Sequence, residues 1–175
     1  MSSQRPAILA RALPPISVAE CAADSIIVNL VGAGFEAYRV GGAVRDRLMG
    51  RVPEEVDVAT DAPPAAVQEL FPHTYAVGAA FGVIVVHAAN GCDVEVATFR
   101  KESGYADGRH PAEVHVSDAP TDARRRDFTV NALYYDPGEE RVLDFVDGLA
   151  DLRCGVLRAI GSPAARFAED YLRML

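Results

Sequence analysis

The segment YRVGGAVRDRLMGRVPEEVDVAT, Tyr38 to Thr60, restricts what this chain can fold into more than any other stretch. AYRV reads as a short strand, Gly41 and Gly42 open a helix running to about Met49, and EVDVAT alternates as a strand does. Side chains alternate across a strand, so Glu55 and Asp57 are expected on one face with Val56 and Val58 on the other. Two carboxylates side by side in a partly buried setting repel unless a cation lies between them. Oxygen ligands of this kind suit Mg²⁺, which keeps several waters and takes substrate phosphates into its octahedron. In CDVEVATF the same alternation puts Asp93 and Glu95 on one face, and a neighbouring strand could aim one of them at the first pair. Three carboxylates around two metal ions is an arrangement for in-line phosphoryl transfer. An isolated E-x-D can equally be a solvent-facing strand pair. The glycines weigh against that, because a helix N-terminus offers unpaired N–H groups and a positive dipole end to a phosphate. Gly41 and Gly42 would form a triphosphate seat, with Arg45 one turn in as a charged clamp.

The rest of the chain reads as α+β, a small mixed sheet with helices on one face. Ser17 and Glu20 form a capping box ahead of a helix whose apolar positions are Val18, Ala22, Ile26, Leu30 and Val31, stopped by Gly32 and Gly34. Asp61 is expected to cap a helix through APPAAVQELF. YAVG is a strand, and Asn90-Gly91 joins the two strands of FGVIVVHAANGCDVEVATFR as a hairpin. Arg100 to about Ala119 is polar and irregular, with the length of a functional loop. Order resumes at RRRDFTVNALYYD, RVLDFVD is a strand, and Ser162-Pro163 starts a last helix. With 175 residues, half of them apolar, the chain can bury one sizeable core. It contains no apolar run of the roughly 18 to 20 residues a membrane span needs. Three scattered cysteines fit reduced thiols in a cytoplasmic setting. The net charge of −8 has the wrong sign for a general nucleic-acid binder, so any RNA-gripping surface must be local or lie outside these residues.

Five stretches in order, GGAVRDRLMGRVPEEVDVAT, VEVATFR, GYADGRHP, RRDFTVNAL and RFAEDYLRML, carry a resemblance. Together they resemble the head domain of class II tRNA nucleotidyltransferases and bacterial poly(A) polymerases, a branch of the polymerase β superfamily. The resemblance implies a polymerase β-like head and the start of a helical neck. It divides the chain into a loose leader over 1–16, the head over 17–160 and a neck beginning at 161–175. It implies that Glu55, Asp57 and Glu95 are catalytic residues and metal ligands, which selects Glu95 over Asp93. Gly41, Gly42 and Arg45 would meet the incoming nucleotide, Arg126 and Asp127 its sugar and phosphates, and Asp170 and Arg173 its base. Arg124 and Arg125 would face solvent or RNA. The implied activity is template-independent addition of CMP or AMP to the 3′ end of tRNA, as a CCA- or A-adding enzyme using ATP and/or CTP. A poly(A) polymerase is the alternative within the family.

One position departs from the pattern, which has Asp where this chain has Glu55. The extra methylene pushes the carboxylate outward, whereas Mg²⁺ demands near-ideal geometry at about 2.0–2.1 Å. Three outcomes compete: an adapted active site, a slow one favouring the more tolerant Mn²⁺, or a nucleotide- or RNA-binding module without catalysis. The family's body and tail, which hold the tRNA, are not among these residues.

Overall fold

Ser17 starts the first helix as its side-chain oxygen accepts the Glu20 N–H at 3.1 Å while Glu20 Oε2 accepts the Ser17 N–H at 2.9 Å. The helix, α1, spans Val18–Gly32 and buries Ala22, Ala23, Ile26, Ile27 and Leu30. Val18 and Val31, expected on that stripe, are exposed. Val31 is one residue past Leu30 and therefore turned about 100° from the core. The computed structural model describes residues 16–78, 82–105, 111–164 and 166. The expected leader, apart from Ile16, lies outside them, and so do Asp170 and Arg173.

After α1 come β1 (Ala37–Val40), α2 (Gly42–Leu48), β2 (Asp57–Thr60), α3 (Pro64–Leu70), β3 (Thr74–Gly78), β4 (Val83–His87) and β5 (Asp93–Thr98). Then follow β6 (Arg100–Tyr105), β7 (Pro111–Val116), α4 (Ala119–Arg125), a 3-10 turn (Thr129–Asn131), β8 (Leu133–Asp136), β9 (Arg141–Asp144) and α5 (Gly148–Cys154). Seven strands form one sheet in the order β3-β4-β5-β2-β1-β8-β9. β2 and β5 run parallel and the other pairs antiparallel, so the sheet is mixed. One face, with Val58, Ile84, Val86, Val94 and Val96, packs on α1 and α3. On the other face Val40, Ala59, Phe99 and Tyr134 pack with Ala119 and Ala123 of α4.

Three expectations from the sequence change. Asp61 does not cap α3; its Oδ1 accepts the Glu36 N–H at 2.7 Å, and Pro63 occupies the cap position. The irregular loop after Arg100 is in its described part a hairpin, with Arg100 opposite Val116 and Tyr105 opposite Pro111. Its polar sequence lacks the apolar alternation that marks a strand, and β6 and β7 pair as a separate two-stranded sheet. The short helices α4 and α5 were not anticipated. Both are seven residues long, as α2 and α3 are, but α4 begins inside the stretch read as a polar loop and α5 directly follows the stretch read as a strand with no break in the pattern.

Candidate active site

The turn from β1 into α2 passes through Gly41, with φ +77° and ψ −140°, a conformation essentially restricted to glycine. A Cβ there would lie 3.6 Å from Arg126 Nη1, an ordinary contact, so the guanidinium stands directly beside the helix start. Arg45 folds back over the same turn, its Nη2 lying 3.4 Å from where a Gly42 Cβ would be. Its Nε donates to Asp46 at 2.9 Å and its Nη1 donates to Asn131 Oδ1 at 2.5 Å. Two arginines distant in sequence therefore flank one glycine turn.

The carboxylates stand beside it. Glu55, Asp57 and Glu95 line one cleft of about 250 Å³ together with Val56, Tyr75, Val85 and Asp93. Asp57 begins β2 and pairs with Val40, the residue before Gly41. Glu95 is on β5 and pairs with Val85. Glu55 precedes β2, so it reaches the cleft from the loop and not by strand alternation. Burial pushes the Asp57 carboxyl above its ordinary range. Glu95 and Glu55 push in the same direction, with Arg126 opposing. That like-charge strain is what a cation would relieve. Among the described residues no three His, Cys, Asp or Glu side chains are gathered tightly enough to hold an ion unaided. The donor set fits hard cations that complete their shell with water and phosphate oxygens, as Mg²⁺ does.

Asp93 and Glu95 diverge in role. Asp93 Oδ2 accepts the Tyr75 hydroxyl, and its Oδ1 is 2.7 Å from His87 Nδ1. These two hydrogen bonds hold the Asp93 carboxyl below its usual value.

Arg126 is held in place from behind. Its Nε and Nη2 donate to Asp122 Oδ2 at 3.3 and 3.2 Å, and its Nε also donates to the Tyr134 hydroxyl at 3.2 Å. The Tyr134 hydroxyl donates to Asp122 at 2.6 Å. Burial pushes Asp122 up, but Arg125 and Arg126 outweigh it and keep the carboxyl below its ordinary range. Arg125, expected to face solvent or RNA, instead donates to Asp122 at 2.7 Å, whereas Arg124 is exposed. Asp127 accepts its neighbour's backbone N–H, from Phe128 at 2.6 Å, and Asn131 Nδ2 at 3.4 Å. Asn131, Asp122 and Tyr134 were missed from the sequence. The only available signal was their position in or beside RRDFTVNAL.

A seven-stranded mixed sheet with a glycine turn, flanking arginines and three carboxylates in one cleft is the architecture of a nucleotidyltransferase head. Residues 37–158 match the poly A polymerase head domain family, and the chain belongs to it. The CCA-adding enzyme of Lactiplantibacillus plantarum is 46% identical over 155 residues, which cover 88% of this chain and 38% of that enzyme. That of Leuconostoc mesenteroides is 46% identical over 154 residues, with 87% and 38% covered. Among solved structures, the Bacillus stearothermophilus CCA-adding enzyme in complex with CTP superposes with a TM-score of 0.80 at 37% identity, over 91% of this chain and 38% of that one. The Thermotoga maritima CCA-adding enzyme complexed with tRNA shares the fold, at a TM-score of 0.66 and 23% identity over 86% of this chain and 34% of that one. The chain thus spans a little over a third of the length of these relatives. Enzymes of this family generally use divalent metal ions. Among the described residues no helix is long and apolar enough to cross a membrane.

Proposed function

We propose that this chain is the head of a template-independent RNA nucleotidyltransferase that adds CMP and AMP to the 3′ end of tRNA, with CCA addition as the preferred reading. The observation that carries it is the single cleft lined by Glu55, Asp57 and Glu95 next to the Gly41 turn. The 46% identity to CCA-adding enzymes supports tRNA as the acceptor, and the cytoplasm is the place of action that goes with this reading. Residues 17–160 make up the head, and 161–175 begin the neck.

Gly41 and Gly42 open the start of α2 to the triphosphate, and Arg45 and Arg126 neutralise its charge. Asp127 contacts the sugar, and Asp170 and Arg173 present an acceptor pair and a donor fork to the base edge. Glu55, Asp57 and Glu95 would hold two Mg²⁺ ions. When bound, these lower the pKa of the RNA 3′-hydroxyl and stabilise the departing pyrophosphate. The protein's contribution is positioning and fixed charge.

The test is incorporation from labelled CTP and ATP on a tRNA acceptor lacking its terminal residues, in Mg²⁺ and separately in Mn²⁺. Addition of C and then A that stops is the expected outcome. Sustained AMP addition to arbitrary RNA would make it a poly(A) polymerase. Tight nucleotide binding with no pyrophosphate released in either metal would leave a binding module, the alternative with which Glu55 is compatible.

A further inference from the structure

Strand register arranges the cleft as a row. Val40 pairs with Asp57 across β1 and β2, Val58 pairs with Val96 so that Asp57 and Glu95 are neighbours, Glu95 pairs with Val85, and Val85 pairs with Tyr75. One line across the sheet therefore runs from the Gly41 turn through both carboxylates to Tyr75. Neighbouring strands are about 4.8 Å apart, so the Tyr75 backbone lies roughly 10 Å beyond Glu95 on the side away from the glycines, and its side chain reaches back to Asp93 on β5.

In-line displacement fixes which substrate lies where. The leaving pyrophosphate departs toward the groups that neutralise it, Arg45 and Arg126 beside Gly41. The attacking hydroxyl must approach from the opposite end of the row. The side chain waiting there is Tyr75, whose residue is 48% exposed and whose hydroxyl is tied to Asp93, itself braced by His87. A half-exposed aromatic ring fixed at its far end by a carboxylate has little rotamer freedom left to lose. Such rings bind single-stranded nucleic acid by stacking on bases of any sequence.

We infer that Tyr75 is the platform on which the 3′-terminal base of the acceptor RNA stacks, with Asp93 and His87 as positioning residues that hold the ring. This rests on the nucleotidyltransferase reading of the same cleft. It adds the side from which RNA enters and the group that receives it. Because stacking is tolerant of sequence, the platform accepts the growing end whichever nucleotide was added last. The local acidity does not oppose it, since the terminal nucleoside carries no 3′-phosphate.

The experiment uses short single-stranded RNAs carrying 2-aminopurine either at the 3′ end or four nucleotides inward, titrated with the chain in Mg²⁺. Fluorescence quenching of the terminal probe, and not of the internal one, is expected for the native chain and, more weakly, for Tyr75→Phe, which keeps the ring but loses the hydroxyl that Asp93 holds. Tyr75→Leu, which keeps apolar bulk without an aromatic face, should lose the quench and weaken RNA binding about tenfold. ATP and CTP affinity, measured separately by calorimetry, should be the same in all three proteins. Absence of quenching in the native chain, or equal quenching in Tyr75→Leu, overturns the inference. Loss of ATP and CTP binding in the native chain would instead overturn the nucleotidyltransferase reading itself, so the two failures are distinct.

Discussion

Arg45 and Asn131 are 86 positions apart, yet Arg45 Nη1 donates to Asn131 Oδ1 at 2.5 Å. The bond fixes the guanidinium over the start of α2, while Asn131 Nδ2 donates to Asp127 at 3.4 Å. One amide thus joins the two segments proposed to hold the nucleotide. Asn131→Ala is expected to raise KM for CTP and ATP about tenfold with a smaller change in kcat, because Arg45 remains but must be ordered by the substrate. Steady-state kinetics with each nucleotide checks this, and an unchanged KM would show that Arg45 needs no anchor.

Glu55→Asp tests the departure from the family pattern. Shortening the side chain should bring the carboxylate nearer to the geometry Mg²⁺ demands and raise magnesium-dependent incorporation by about two- to tenfold. Glu55 sits in the loop ahead of β2, and no strand pairing fixes it. The longer side chain could therefore be accommodated by backbone adjustment. An unchanged rate would show that this has already occurred.

Asp57→Asn trades activity for stability. Burial, Glu95 and Glu55 place the folded-state pKa of Asp57 above its ordinary 3.8, so ionisation is disfavoured in the folded protein. The resulting penalty is absent below pH 3.8, grows as pH rises toward the raised folded value, and is constant above it. Removing the charge should raise Tm at pH 7 by roughly 1–3 °C, a small gain because the cleft is open to screening solvent. The gain should vanish near pH 3 and shrink when Mg²⁺ is added, while nucleotide incorporation is abolished. Thermal scans at pH 3 and 7, with and without Mg²⁺, read all of these.

Gly148→Ala probes the joint behind the site. A Cβ there would fall 2.2 Å from the Thr129 carbonyl oxygen and 3.1 Å from Leu133 Cδ2, so backbone must move. A loss of about 2–3 kcal/mol is expected in urea unfolding. At Gly32 nothing lies within 4 Å of an added Cβ, and Gly32→Ala should be neutral or stabilise by up to about 1 kcal/mol. Equal effects at the two positions would exclude the steric explanation.

Several local signals read correctly, although the Asp61 cap did not. The Ser17–Glu20 box, the glycine-opened α2 and the Asn90-Gly91 hairpin each depend on contacts close in sequence. Where a second partner came from afar, composition was silent. Glu20 looked like a capping residue, yet it is 1% exposed and accepts from Arg39 at 2.7 Å and Arg47 at 2.9 Å, a buried ion-pair cluster on the face opposite the cleft.

By itself the sequence determined which chemistry was available: the carboxylates, the glycine turn, the arginines and the order in which they come. Only the tertiary structure decided that Glu55 enters from a loop, that Asp93 braces Tyr75 while Glu95 borders Asp57, and that Asn131 anchors Arg45. The reason is physical. Alternation and capping are properties of a single strand or helix, whereas the register between β2, β5, β4 and β3 is set by how whole faces bury against α1, α3 and α4, and no local stretch encodes it.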